Sequence, residues 1–254
     1  MKTHLLAMMS LGVLLALLAG CKDDETVGRG QLRMYLVDAP ASYDSVVVVV
    51  KEVSVHSDAQ GWIVVNNTTR AFDLLRLTNG ARVVLGETSL DAGVYTQIRL
   101  LLDVGSYVVV GGTRHPLTVP SGLETGIKLV HQFNIEANFL YELYLDFDAS
   151  RSIVLTGSGD YQLKPTIRVT AAATTGTISG VVLPITHLAA ITAMSTTDTA
   201  GTFASALTGA FKVMALPPGS YSVRIQSTTS TQDTTIAGVT VVAGADASIG
   251  TINW

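Results

Sequence analysis

Two neighbouring stretches of alternating residues constrain the fold of this chain most strongly. Leu129–Ile135 and Phe139–Phe147 each carry large apolar or aromatic side chains at every second position. Because successive side chains of a β-strand point to opposite faces, such alternation is typical of strands with one buried face. Residues 136–138 lie between the two stretches and have the length of a hairpin loop. The pattern therefore predicts a β-hairpin inside a β-rich domain.

Other segments extend the strand pattern along the chain. Val94–Asp103 alternates in the same way, and Ser45–His56 contains the run Val46–Val50, which has no polar face. Such a run predicts a strand that is covered on both sides. Charged residues make up only 14% of the chain, whereas β-branched residues, which strands favour, are plentiful. We expect an all-β protein with two β-sandwich domains.

The N-terminal segment has the layout of a secretory signal peptide. A basic residue precedes an apolar run at residues 5–18, and small residues then lead to Cys21, the only cysteine of the chain. The run is shorter than the about 20 residues that span a membrane comfortably. Leu18–Cys21 resembles a bacterial lipobox, so we expect residues 1–20 to be cleaved as a lipoprotein signal peptide and Cys21 to be lipidated. The alternative is an ordinary signal peptide whose exit happens to contain a buried cysteine.

Residues 21–28 are expected to form a flexible acidic tether. The residues that follow the cysteine are Lys22, Asp23, Asp24 and Glu25. They resemble the surface-export signal of Bacteroidetes lipoproteins, in which a lysine precedes a short acidic run. In enterobacterial lipoproteins an aspartate directly after the cysteine favours retention at the inner membrane, and here a lysine holds that place. We expect a lipid-anchored outer-membrane protein that faces the cell surface, with the periplasmic face as the alternative.

Several separated motifs between residues 29 and 170 carry a family resemblance. They are Leu36–Pro40, Leu90–Leu100, Pro120–Gly122, Gly126–Leu129 and Leu163–Val169. In order and spacing they resemble the family known as domain of unknown function 4382. The resemblance implies an extracytoplasmic β domain that is often lipid-anchored. It implies no activity, so no residue is assigned as catalytic.

A change of composition marks a second domain at residues 176–254. Residues 171–175 are small and polar, and we expect them to form a linker. The motifs that follow are Gly176–Val182, Gly209–Phe211 and Leu216–Val223. They resemble a carboxypeptidase regulatory-like domain with a transthyretin-type sandwich. The resemblance implies a non-catalytic accessory module.

A search for chemistry yields only weak candidates. Asp146 and Asp148 share one strand face opposite Phe147 and are the weak candidates for a Ca²⁺ site, since hard cations take several oxygen ligands. We favour the alternative that they form a solvated strand end. Trp62 is the one aromatic candidate for stacking on a ligand, although a core position is the interpretation we prefer. We expect no catalytic residue, no other metal site and no cofactor.

Two threonines are candidate O-glycosylation sites. Thr199 and Thr234 each follow an aspartate and precede a small residue, which resembles the O-glycosylation motif of Bacteroidetes envelope proteins. Both are expected in turn-like, Thr-rich stretches where a sugar stays in water. A similar triplet at Asp44–Val46 is excluded because it opens a buried strand. The alternative is that such triplets arise by chance in a chain rich in threonine.

The charge distribution limits the partners of the chain. The formal net charge is −4 and no basic cluster occurs, whereas binding to phosphate backbones needs a concentrated positive footprint. We therefore expect no nucleic acid as a partner. The leading hypothesis is a non-catalytic binding or display module that contacts the membrane through its N-terminal lipid and binds an unknown extracellular ligand or envelope protein. The alternatives are an enzyme of unknown reaction that uses carboxylates of the first domain, and a structural module of an envelope assembly.

Overall fold

The computed structural model describes residues 27–39, 41–120 and 125–254. Strands dominate these residues and stack in sandwich-like sheets, so the predicted all-β class is confirmed. The predicted signal peptide, the lipidation residue Cys21 and the export residues Lys22–Glu25 lie outside the described residues and stay predictions. Within the described part, no helix combines the length and the apolar character that crossing a bilayer requires.

The first domain is built from two sheets. Its strands are β1 (Arg29–Ala39), β2 (Ser45–Ser57), β3 (Gly61–Asn66), β4 (Arg70–Asp73), β5 (Val83–Asp91), β6 (Gly93–Leu102), β7 (Tyr107–Val110), β8 (Thr113–Thr118), β9 (Ile127–Ile135), β10 (Leu140–Asp148), β11 (Ile153–Leu155), β12 (Tyr161–Leu163) and β13 (Ile167–Ala171). One sheet has the order β13-β10-β1-β5. The other has the order β11-β12-β8-β7-β2-β6-β9, with β3 and β4 also paired to β2.

The core of the first domain lies between these sheets. Leu32 and Met34 of β1 meet Ile98 of β6 in one apolar cluster, and each of the three is 0% exposed. Burial of such a side chain stabilises the fold by about 1.5–3 kcal/mol. The run Val46–Val50 at the start of β2 is covered on both faces, since Val47 is buried as well as Val46. The sequence prediction for this strand is confirmed.

The predicted hairpin of the two alternating stretches is wrong. β9 pairs with β6 in one sheet, whereas β10 runs parallel to β1 in the other. The connection at residues 136–139 crosses from sheet to sheet and is held against the start of β1, where Asn138 N donates to the carbonyl of Arg29 at 2.8 Å. Alternation marks a strand with one buried face, and both sheets bury one face. It therefore does not identify the partner strand.

The second domain is a smaller sandwich with its own core. Its strands are β14 (Gly176–Leu183), β15 (Ala189–Met194), β16 (Thr199–Phe203), β17 (Ala210–Leu216), β18 (Gly219–Ser227), β19 (Asp233–Val241) and β20 (Asp246–Asn253). The sheets have the orders β17-β14-β20 and β16-β15-β18-β19. Ile178, Phe211 and Val223 are among the buried residues between them. Tyr221 is buried too, and its hydroxyl donates to the carbonyl of Pro217 at 2.9 Å.

Among the described residues, helical structure is confined to short turns. They are α1 (Ala149–Ser152) and the 3₁₀ turns Leu74–Leu77, Ala172–Thr174 and Ile185–His187. The turn at Ala172–Thr174 lies within residues 171–175, the segment that the sequence predicts to be the linker between the domains. Thr174 Oγ1 donates to the carbonyl of Ala171 at 3.0 Å, and Thr175, which is buried, donates to Ala172. The connection is therefore short and internally hydrogen-bonded.

Candidate functional site

The two sandwiches meet at a junction that we call the domain junction. Its apolar part consists of Tyr35 and Val37 of β1, Tyr144 of β10 and Ala215 of β17, all buried together. The β1 and β10 residues point away from the core of their own domain, because their neighbours in sequence fill that core. Arg82 lies at its edge, with its guanidinium 4.3 Å from the centre of the Tyr35 ring. The second domain thus covers the part of the outer sheet face around Tyr35, Val37 and Tyr144.

Asn79 provides the polar contact across the junction. Its side-chain Oδ1 accepts from the backbone N of Lys212 at 2.8 Å, and its Nδ2 donates to the carbonyl of Ala210 at 3.3 Å. Its own backbone N donates to Thr202 Oγ1 at 2.6 Å. The backbone of Asn79 has a φ of 56°, a left-handed conformation that asparagine tolerates better than most residues. One residue of the first domain therefore bonds to two strands of the second.

Arg168 connects carboxylates of both domains. Its guanidinium contacts Asp146 of β10 at 2.8 Å and Asp198, in the turn between β15 and β16, at 3.3 Å. Asp146 is only 8% exposed. Burial raises the pKa of Asp146, and the positive charge of Arg168 opposes that rise. The Arg168–Asp146 pair lies within the first domain, and the contact with Asp198 adds an ion pair across the junction in which each side chain is 21% exposed.

Asp38, near the end of β1, is a buried carboxyl group with a strongly raised pKa. It is 5% exposed, and its Oδ1 accepts from the backbone N of Ala149 at 3.0 Å. Among the described residues its Oδ2 has no hydrogen-bond partner. Burial, with the charges of Asp146 and Asp148, raises the pKa of Asp38 to about 9 despite that hydrogen bond. The side chain is therefore neutral at pH 7.

The cavity beside Asp38 is too small for a substrate. Its volume is about 10 Å³, close to the space that a single water needs. Asp146, Asn79 and Lys212 also line it, so it lies within the domain junction. A perturbed carboxyl group is a frequent sign of catalysis. Here the raised pKa of Asp38 accompanies burial of the side chain at the domain junction.

The structure separates the two predicted Ca²⁺ candidates. Asp146 is buried against Arg168, whereas Asp148 ends β10 and caps α1, with its Oδ1 accepting from Arg151 N at 3.0 Å. The expectation of a solvated strand end is wrong for Asp146, because the second domain covers this face of the sheet. Within the described ranges, no three His, Cys, Asp or Glu side chains form a group suited to a metal ion.

The candidate glycosylation residues lie in strands and not in turns. Thr199 is exposed at the first position of β16, beside Asp198 of the domain junction. Thr234 is half-buried in β19, and its Oγ1 accepts from Trp254 Nε1 at 2.8 Å. The triplet excluded earlier does open a buried strand, since Val46 is 0% exposed. Modification of either threonine stays a prediction.

Two aromatic residues differ from their sequence interpretation. Trp62 is half-buried rather than in the core, and the Arg99 guanidinium lies 4.5 Å from its ring centre. Phe139 was placed on the apolar face of an alternating strand, yet it precedes β10 and is 65% exposed. It lies in the connection that crosses between the sheets. Sequence reasoning missed it because the hairpin assigned it to the core.

Comparisons with known proteins identify a relationship for the first domain. No curated protein shows significant similarity to the chain. A solved structure of the Bacillus anthracis TIE protein is 11% identical, with a TM-score of 0.22, and the match covers 89% of this chain but 34% of that protein. GBS52, the minor pilin of Streptococcus agalactiae, is 11% identical over 88% of this chain and 94% of its own, with a TM-score of 0.20. Residues 29–165 match the family described as Domain of unknown function (DUF4382), which confirms the resemblance of the separated motifs. The match coincides with the first sandwich up to β13.

Proposed function

This chain belongs to the DUF4382 family, and we propose that it is a lipid-anchored envelope protein whose two sandwiches form one rigid, non-catalytic module for binding or display. The membrane contact is the lipid expected on Cys21, and the partner is an extracellular ligand or another envelope protein. The export sequence Lys22–Glu25 favours the outer membrane and the cell surface.

The observation that carries this proposal is the domain junction. A flexible pair of domains would meet in a wet, exposed contact, whereas here Tyr35, Val37 and Tyr144 are buried against the second domain. Asn79 and Arg168 add directional polar contacts across the same surface. A module fixed in this way presents its far end in a constant orientation, which suits display.

The chemistry of the junction supports a non-catalytic role. Asp38 and Asp146 are the carboxylates on which an enzyme hypothesis would rest. The cavity that both line has a volume of about 10 Å³, and in a second cavity of about 160 Å³ Asp146 is paired with Arg168. A general acid or base must come within hydrogen-bond reach of its substrate. Both side chains are instead buried at the contact between the domains, out of reach of a substrate.

For the second domain we propose the accessory role of a carboxypeptidase regulatory-like module. The support is its sandwich of two sheets and the turn at Pro217, which receives a hydrogen bond from Tyr221 and begins the strand β18. In this role the second domain extends the first and supplies surface for contacts outside the cell.

Fractionation of native cells tests the anchor. The wild-type protein should remain with membranes after a carbonate wash, and Cys21→Ala should be released, since the acyl chains supply the apolar attachment. Retention of the alanine variant in the washed membranes would contradict the lipid anchor.

Protease treatment of intact cells tests the side of the membrane. Surface display predicts loss of the protein without cell lysis. Alanine replacement of Asp23–Glu25 retains Cys21 and Lys22, so it should keep the protein on membranes while protecting it from the protease. Full protection of the wild type would favour the periplasmic face.

A further inference from the structure

The end of the first sandwich at which the described residues begin carries exposed apolar side chains. Val27 is 56% exposed, Val94 49%, Phe139 65% and Leu140 48%. These four residues are called the tether-end patch below. Single exposed apolar residues are common on protein surfaces, so the argument depends on their shared location.

Backbone hydrogen bonds hold the segments of the tether-end patch at one end of the sandwich. The carbonyl of Gly28 accepts from Ala92 N at 2.7 Å, which places Val27 near the turn that precedes Val94. The carbonyl of Phe139 accepts from Gln31 N at 2.8 Å. The start of β1 therefore lies between the loop before β6 and the loop before β10.

The charges around the tether-end patch do not favour an anionic partner. Arg29, at the start of β1, is paired with Asp91 at 3.1 Å. Asp58, at the turn between β2 and β3, is 89% exposed on its side chain, and Glu136 is exposed in the loop before β10. Attraction to this end must therefore come from the apolar side chains.

The tether length places this end close to a bilayer. Five residues lie between Cys21 and Val27, and the six residue-to-residue steps of a fully extended chain reach about 20 Å at most. If Cys21 carries the lipid, the tether-end patch stays within that distance of the headgroups. An exposed phenylalanine at such a distance can enter the boundary between headgroups and acyl chains, where apolar side chains of peripheral proteins bind.

We propose that the tether-end patch docks on the bilayer that holds the Cys21 lipid, with Phe139 as the inserted anchor. This inference rests on the lipid anchor of the proposed function. β1 leads from the patch to Asp38 at the domain junction, and at about 3.3 Å per residue that segment spans about 25–30 Å. Docking would thus hold the first sandwich upright and keep the second away from the membrane.

The experiment uses the lipidated full chain in phosphatidylcholine vesicles. Because Cys21 is the only cysteine and its sulfur carries the lipid in this proposal, a nitroxide can be attached at one new cysteine, Glu136→Cys, next to the patch. The matched control is Val104→Cys, which follows β6 at the opposite end of the sandwich and is 74% exposed. Collision with oxygen and with a water-soluble nickel chelate reports the depth of each label.

Docking predicts an oxygen-accessible, nickel-protected nitroxide at position 136 and a water-exposed one at position 104. Adding Phe139→Asp should return the label at position 136 to the water-exposed values, whereas Val104→Asp should leave it protected. The Phe139 side chain is largely exposed, so its replacement should not disturb folding. Co-sedimentation with vesicles is measured for every variant.

The results separate the two proposals. A protein that sediments with vesicles but keeps a water-exposed label at position 136 overturns docking and leaves the lipid anchor intact. A label that is immobilised without nickel protection shows that a second protein copy covers the patch, and it also overturns docking. Failure to sediment in the wild-type form contradicts the lipid anchor itself.

Discussion

Replacement of the buried Asp38 by asparagine should change how stability depends on pH. The substitution keeps the Oδ1 acceptor for Ala149 N and removes the ionisable group. In the folded protein the pKa of Asp38 is raised from its ordinary value of 3.8 to about 9. The folded state therefore retains a proton that the unfolded state releases between these values, and the contribution of Asp38 to stability falls as the pH rises through that window.

The size of the effect follows from the proton linkage. One proton of difference lowers the free energy of unfolding by about 1.4 kcal/mol for each pH unit, or about 4 kcal/mol between pH 5 and pH 8. Asp38→Asn loses this dependence. At pH 5 the variant should be the less stable protein by about 1–3 kcal/mol, since its amide buries donors without partners. By pH 8 the difference should vanish or change sign.

Urea unfolding of the unlipidated mature chain at several pH values between 5 and 8 measures this effect. Asp58→Asn is the matched control, because the Asp58 side chain is 89% exposed and its replacement should leave the pH dependence unchanged. Asp146 contributes its own pH dependence to both proteins, so the comparison isolates Asp38. Parallel stability curves for the wild type and Asp38→Asn would refute a neutral, buried carboxyl group at this position.

Three further predictions concern the domain junction and its surroundings. Asn79→Gly keeps the left-handed backbone but removes two side-chain hydrogen bonds, so calorimetry should show a free energy of unfolding lower by about 1–3 kcal/mol. The control is Asn138→Gly, at a residue whose φ is 66°, and its stability should change little. An equal loss of stability in both variants would contradict the role of the Asn79 amide. Limited proteolysis should cut residues 171–175 faster in Asn79→Gly than in the wild type, while equal rates would mean that the junction does not protect the turn. In protein from its native envelope, mass analysis should find any hexose-type increment on the exposed Thr199 rather than on Thr234, whose hydroxyl accepts a hydrogen bond from Trp254. A mass equal to polypeptide plus lipid alone would rule out both sites.

The sequence predicts the strands better than their partners. The run Val46–Val50 and the alternation in β6 lead to buried strands because burial of a face is a local property of the pattern. The pairing of β10 with β1 joins segments about 110 positions apart, and no local signal specifies it. The same limitation explains Phe139, whose exposure depends on a connection between sheets.

The sequence of β1 also contains a local signal of the domain junction. Tyr35 and Val37 alternate with the core residues Met34 and Leu36, so the second half of β1 is apolar on both faces. The same criterion predicted the covered strand at Val46–Val50. Applied to β1, it would have predicted a covering layer outside the first sandwich. The burial of Asp38 and Asp146 follows only once that layer is in place.

The contact of Asn79 with β17 also controls how the second domain can associate. β17 is the outermost strand of its sheet, and an outermost strand offers unpaired backbone groups to any other strand that approaches. The amide of Asn79 occupies the backbone N of Lys212 and the carbonyl of Ala210 at that edge. Separation of the domains would free the backbone N of Lys212, whereas the carbonyl of Ala210 also accepts from Ser205 N within the second domain. We expect the Asn79 contact to make addition of another strand at the β17 edge less favourable while the two domains are together.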